Sequence, residues 1–316
     1  MFRRLLLFGS NQRWVRRLIT RYRVTRAFAW RFVAGESAES ALKAVRELQS
    51  QGVQSTLDLL GESVTDLRAA EASVESYLEL LEDIRRSGLP SHISLKLTQL
   101  GLDVDEELCR QNLQRILSRA EEYGVFVRFD MESSAYTQRT LDMYRSLRPE
   151  FSNFGVVIQS YLYRSAQDIE DLIAEGARVR LCKGAYLEPA DVAYQRKEDV
   201  DANYILLMER LLSDGNYPAI ATHDPAMIAH ARRYVREHDI PNSAWEFQML
   251  YGVRRDLQES LAAEGYNMRC YVPFGTEWYP YFMRRLAERP ANLAFLLRNV
   301  LRERRNLPAQ PGTGTA

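Results

Sequence analysis

Lysine is scarce in this sequence: of 42 basic side chains only Lys43, Lys96, Lys183 and Lys197 are not arginine. Two of the four close short apolar runs, Lys96 in HISLKLTQL and Lys183 in VRLCKGAYLE. In chains that alternate strand and helix, strand C-termini are where catalytic groups collect. The other apolar runs also end on chemically capable residues. Gly61 and Glu62 follow the first run, Asp130 and Glu132 end the third, and Gln159 and Tyr161 the fourth. Arg180, Lys183 and Tyr186 mark the fifth, Thr222, His223 and Asp224 the sixth, Gln248 and Leu250 the seventh, and Tyr271 the eighth. Polar groups directed into one closed mouth need partners or a ligand.

These residue types narrow the chemistry. There are four histidines, His92, His223, His230 and His238, and only His223 ends a strand; the first strand has no HxH. A metal-dependent barrel hydrolase needs several converging ligands, so the pattern speaks against a metal. A Schiff-base aldolase or lyase using Lys183 or Lys96 stays open, because a barrel-strand lysine can trap a carbonyl. Carboxylate neighbours, which favour the charged amine, count against it. Beyond the eighth strand, WYPYFMRRLAERPAN puts Tyr281, Arg284, Arg285 and Glu288 on one helix at i, i+3, i+4 and i+7, hence one face. Adjacent guanidinium groups beside an aromatic suit a carboxylate clamp, although a solvated helix face would use the same residues.

The elements that must carry these residues follow from periodicity. Strands are expected at 53–60, 92–97, 125–131, 155–160, 178–182, 219–223, 245–249 and 269–273. Helical periodicity fills 66–86, 105–123, 136–147, 166–175, 201–213, 225–238 and 255–264, with two further helices at 279–287 and 292–304. Eight β/α units predict an α/β chain of the (βα)8, TIM-type barrel class. A doubly wound sheet is the alternative, but the first strand turns through LLGES and lacks GxGxxG.

With 316 residues and 46% hydrophobic content, the chain can bury one large core. A formal charge of zero argues against nucleic acid as a partner. Three scattered cysteines without CxxC point to a reducing, cytoplasmic compartment, and neither an export signal nor a membrane-spanning run is read. The chain divides into a basic amphipathic segment 1–35, a barrel 36–305 and a Pro/Gly/Thr-rich tail 306–316 expected to be disordered. Segment 1–35 has nine arginines and no acid. It is expected either to cap the barrel or to touch an anionic membrane face.

In order along the chain, SLKLTQLG, VRFDMES, VIQSYL, RLCKGAY, ATHD, EFQMLYG, YVPFG and YFMRRLAE resemble the proline dehydrogenase family, in its short monofunctional bacterial form. The resemblance covers 57–297. It implies a distorted (βα)8 barrel binding FAD at the strand C-termini. It further implies oxidation of L-proline to Δ1-pyrroline-5-carboxylate by hydride transfer to FAD. Electrons would pass to a membrane quinone, and the product to a pyrroline-5-carboxylate dehydrogenase on a separate chain.

The resemblance also assigns residues. Lys96, Arg284 and Arg285 would hold the proline carboxylate, and Tyr271, Tyr281 and Leu250 would pack on its ring. Asp130 and Arg180 match active-site positions, Arg180 near flavin N5. Met131, Gln159, Lys183, Gly184, Ala185 and Tyr186 match FAD contacts, as do Thr222, His223, Gln248 and Glu288. Lys183 would reach the pyrophosphate, and Glu62 would pair with Arg284 as a gate. Two positions depart from the family pattern: Leu187, where an aromatic often stands, and Asp224, where Asn is also common.

Overall fold

Eight short apolar strands pair in parallel, each with the next, and the eighth returns to the first to close a barrel. They are β1 Gln54–Leu59, β2 Ser91–Leu95, β3 Val127–Phe129, β4 Phe154–Gln159, β5 Val179–Cys182, β6 Ala219–Ala221, β7 Glu246–Leu250 and β8 Met268–Phe274. Closure is visible in register, where Leu57 stands opposite Ile93 on β2 and Val272 on β8. The computed structural model describes residues 29–61 and 64–288, without the side chains at 284 and 286–288. The basic segment up to residue 28, Glu62, the side chains of Arg284 and Glu288, the helix expected at 292–304 and the tail 306–316 lie outside the described residues.

The helices are α1 Ala38–Ser50, α2 Leu67–Ser87, α3 Glu106–Glu122, α4 Ser134–Leu147, α5 Ser165–Ala174, α6 Lys197–Asp214, α7 Pro225–Glu237, α8 Arg255–Ala263 and α9 Trp278–Glu288. Several begin on an acidic N-cap. Asp66, Asp105 and Asp224 accept hydrogen bonds from the N–H groups of Ala69, Leu108 and Ala226, satisfying donors that have no partner inside the helix.

Two helices distort the barrel. The sequence reading begins at the first strand and omits α1, which packs against β1, β8 and α2. It thereby covers the strand pair that a helix following β8 would cover in a regular barrel. That helix, α9, lies instead across the mouth, where Tyr281 and Arg285 face the cavity. Its apolar side rests on Ala29, Phe32, Val33 and Leu60. Trp30 meets Trp278 edge to face at 5.4 Å, and Trp278 Nε1 donates to Glu36 Oε1 at 3.2 Å. The described part of the N-terminal segment therefore braces the mouth helix.

The lumen is unusually polar. Asp58 lines the cavity, and the two-residue strand period puts Thr56 and Gln54 on the same inward face. Below the cavity, Arg269 Nε donates to both oxygens of Glu246 at 3.0 Å, and its Nη1 to Ser55 O at 2.9 Å. Arg128 fits inside because residue 155 is glycine: a Cβ there would collide with Arg128 and with the carbonyl of Arg178. Burial, then the surrounding arginines, hold His92 well below the usual histidine range, so it stays neutral.

Candidate active site

The strand C-termini and α9 enclose a cavity of about 490 Å³, within the range of small-molecule sites. Its centre is the Asp130 carboxylate, carried past the end of β3. Oδ1 accepts from Arg180 Nη1 at 2.7 Å and from Ser94 Oγ at 2.6 Å, and Oδ2 accepts from the Tyr271 hydroxyl at 2.6 Å. Burial alone would raise the Asp130 pKa, but Arg180 and Lys96 outweigh it and hold the group below the usual carboxylate range. Tyr271 is pushed well above the ordinary phenol value, by burial first and Asp130 second, so its proton stays in place as a donor. The Arg180 guanidinium also lies 5.3 Å from the Tyr271 ring centroid.

Lys96 follows β2 and caps a short 3-10 turn, Leu97–Leu100. Its ammonium donates to Asp58 Oδ1 at 3.3 Å and stands 4.0 Å from Asp130 Oδ2. Glu132 fixes that turn, accepting from Thr98 N at 3.3 Å and Thr98 Oγ1 at 2.8 Å. Sequence reasoning noted Glu132 without a role and missed Asp58 altogether. The Asp58 signal was a lone acid inside the apolar run STLDLL.

Every described residue of the expected site lines this one cavity. Lys96, Asp130 and Met131 come from β2 and β3, and Gln159 from β4. Arg180, Lys183, Gly184, Ala185 and Tyr186 come from β5 and the loop behind it. Thr222 and His223 follow β6, Gln248 and Leu250 end β7, Tyr271 lies in β8, and Tyr281 and Arg285 come from α9. Gly184 has φ 110°, and any Cβ there would collide with the Tyr161 ring, so this loop can approach the cavity only with glycine. His223 Nε2 accepts from Leu250 N at 2.8 Å, which in the neutral ring leaves the proton on Nδ1.

Lys183 is clasped at the rim by Asp201 Oδ1 at 2.5 Å and Asp224 Oδ2 at 3.1 Å. Lys96 and Lys183 are thus both paired with carboxylates, and neither presents the unencumbered amine that a Schiff base requires.

Two side chains in the wall have unspent hydrogen-bonding capacity. Arg180 is 6% exposed, yet its Nε and Nη2 are buried without a partner. Gln159 donates through Nε2 to Glu132 O at 2.7 Å and leaves Oε1 unmatched. Buried polar atoms of this kind call for a ligand that supplies the missing partners.

Comparison with known proteins decides the family. A family model described as proline dehydrogenase matches residues 41–298. This chain belongs to the proline dehydrogenase family. It is 45% identical to proline dehydrogenase 1 of Bacillus subtilis (strain 168) over 303 residues, 96% of this chain and 100% of that protein. It is 46% identical to proline dehydrogenase of Deinococcus radiodurans over 279 residues, 87% of this chain and 90% of that one. Among solved structures, proline utilization A from Bdellovibrio bacteriovorus, inactivated by N-propargylglycine, aligns at a TM-score of 0.81 and 27% identity. That alignment covers 95% of this chain and 38% of the longer protein. The barrel is therefore that of a proline dehydrogenase domain.

Proposed function

We propose that this site oxidises L-proline to Δ1-pyrroline-5-carboxylate with FAD as the hydride acceptor, and that a membrane quinone finally takes the electrons. The observation that carries the reading is the cluster of Lys96, Asp130, Arg180 and Tyr271 at the floor of the cavity, with unpartnered donors on Arg180 and an unpartnered acceptor on Gln159. A flavin ring fits these atoms, because it carries acceptors along one edge and an N–H flanked by carbonyls. Met131, Gln159, Arg180 and Gln248 would hold the ring. Lys183, Gly184, Ala185, Tyr186, Thr222, His223 and Glu288 would hold the rest of the cofactor. When bound, FAD supplies the two-electron acceptor for the substrate's ring hydrogen.

The chain's own residues would do the remainder. Lys96 and Arg285, with Arg284 beside it, bind the substrate carboxylate, while Leu250, Tyr271 and Tyr281 pack the ring against the acceptor. Asp130 fixes Arg180 and Tyr271 in place, so little reorganisation is needed as charge moves. The Arg285 guanidinium is set by its own helix, 5.2 Å from the Tyr281 ring centroid, which makes it a pre-positioned clamp. Arg285→Met should raise KM for proline by the worth of a charge-assisted hydrogen bond, about 1.5–3 kcal/mol or roughly 10- to 150-fold, with FAD content retained. Steady-state kinetics on FAD-loaded enzyme check this. An unchanged KM would remove Arg285 from the substrate site.

Delivery of electrons to quinone places the enzyme at the inner face of a membrane, with segment 1–35 as the contact and pyrroline-5-carboxylate dehydrogenase as a separate downstream chain. Among the described residues no helix is long and apolar enough to cross a membrane. Residues 29–33 brace α9, so a truncation that tests the segment must start at Ala29 rather than beyond it. That chain loses eight of the nine arginines. It should keep proline-to-dye activity and lose salt-sensitive pelleting with anionic liposomes. Equal pelleting of both forms would exclude a membrane role for these arginines.

A further inference from the structure

Asp58 is 1% exposed, yet it stands in the wall of the substrate cavity. Its cation partner is Lys96, at 3.3 Å. The charged groups around it come from every neighbouring element. Asp130 approaches from β3, backed by Arg180 of β5, and both Asp58 and Asp130 draw on Lys96. The Tyr271 hydroxyl of β8 is committed to Asp130 at 2.6 Å and also reaches Asp58. The buried Tyr77 of α2 donates toward Ser94 O at 3.3 Å. Lys96 and Arg180 thus balance Asp58 and Asp130, and the balance depends on Lys96 remaining with Asp58.

A substrate carboxylate disturbs this balance. If it takes the Lys96 ammonium, the substrate carboxylate is itself balanced by Lys96 and by Arg285 of α9, and Asp58 becomes a buried carboxylate deprived of its partner. A buried charge without a counter-ion neutralises by binding a proton. We propose that Asp58 is the positioning residue for Lys96: it holds the ammonium until substrate arrives, then takes up one proton as the substrate carboxylate replaces it. The inference rests on the proposed carboxylate-binding role of Lys96. The step is an acid–base exchange in which a solvent-derived proton forms the Asp58 O–H bond and nothing is oxidised or reduced. Already without ligand, burial raises the Asp58 pKa above the usual carboxylate value, which shortens the step to the protonated form.

The test uses full-length, FAD-loaded enzyme and tetrahydrofuran-2-carboxylate, a ring carboxylate that has oxygen in place of the amine and cannot be oxidised as proline is. Calorimetric titration in two buffers of different ionisation enthalpy reads the protons exchanged on binding. Native enzyme should take up protons. Its affinity should weaken as pH rises, by at most about tenfold per pH unit if one full proton is linked. Asp58→Asn should bind with no uptake and a flat profile, and Asp58→Glu should restore both. A carboxylate that merely balances charge would stay ionised. Binding to native enzyme without proton uptake, or unchanged uptake in Asp58→Asn, overturns the proposal. Absence of any binding heat with native enzyme instead overturns the carboxylate-site reading, and the proposal with it. Because the native measurement is decisive alone, a variant that fails to fold does not protect the idea.

Discussion

Arg180→Met is expected to slow reduction of the bound flavin by about 10²-fold or more at saturating proline, while KM changes little. The side chain is buried, tied through Nη1 to Asp130 at 2.7 Å and to Ser94 Oγ at 3.3 Å, and its Nε and Nη2 have no protein partner. Under the proposed function, a cation held so rigidly beside the flavin ring would stabilise the charge that arrives with the hydride, an interaction that would strengthen only as transfer proceeds. Methionine keeps the bulk and removes both charge and donors. Asp130 would still have Ser94, Tyr271 and Lys96, so the fold and the cofactor content should survive. Stopped-flow reduction separates the step from binding, and partial recovery in Arg180→Lys would assign the loss to charge rather than shape. An unchanged reduction rate would remove Arg180 from the chemistry.

The second large effect concerns stability. Glu246 and Arg269 are 1% and 5% exposed in their side chains and form an ion pair below the active-site layer, with the Arg269 Nε–H shared by both Glu246 oxygens. Glu246→Ala leaves the guanidinium charge buried without its carboxylate, a loss of about 3–5 kcal/mol. Replacing both residues with apolar ones of similar volume should cost much less, because the penalty lies in the orphaned charge rather than in the absence of the pair. The pH dependence has a definite sign. Burial would raise the Glu246 pKa, but Arg269 and Gln248 outweigh it and hold the group below the usual value. Its contribution is therefore complete above the unfolded glutamate pKa of about 4.3 and is lost as pH falls through the lower folded value. Urea unfolding of the native and Glu246→Ala proteins should show a constant gap near neutrality that narrows in acid. A gap that widened in acid would mean the pair is assigned the wrong role.

The eight strands were legible because each is an apolar run punctuated by a turn and ended by a polar residue, and the site was legible because those end residues belong to one mouth. Lys96 and Asp130 stand out where hydrophobicity stops, and Arg180, inside β5, is carried by the Lys183 motif that follows it. Asp58 does not stand out, since it lies inside a strand and its meaning comes from Lys96, 38 residues away. Glu246 and Arg269 sit two residues before Gln248 and Tyr271 on the same inward faces, so the strand period could have found them. Helix α1 shows the expected 3.6-residue spacing at Ala41, Leu42, Val45 and Leu48, but a strand-first count has no place for it. Its role appears only once α9 is seen to have left the wall for the mouth. The clasp on Lys183 was also hidden, because Asp201 lies 18 residues further on, in the next helix.

The central claim is that this cavity carries out flavin-dependent oxidation of proline, and the visible spectrum of the purified protein tests it most directly. The protein should be yellow, or become so on taking up FAD. Its oxidised-flavin bands should bleach anaerobically on adding L-proline and remain when NADH is added instead. A colourless protein that does not take up FAD, or a bound flavin that L-proline leaves oxidised, would contradict the account.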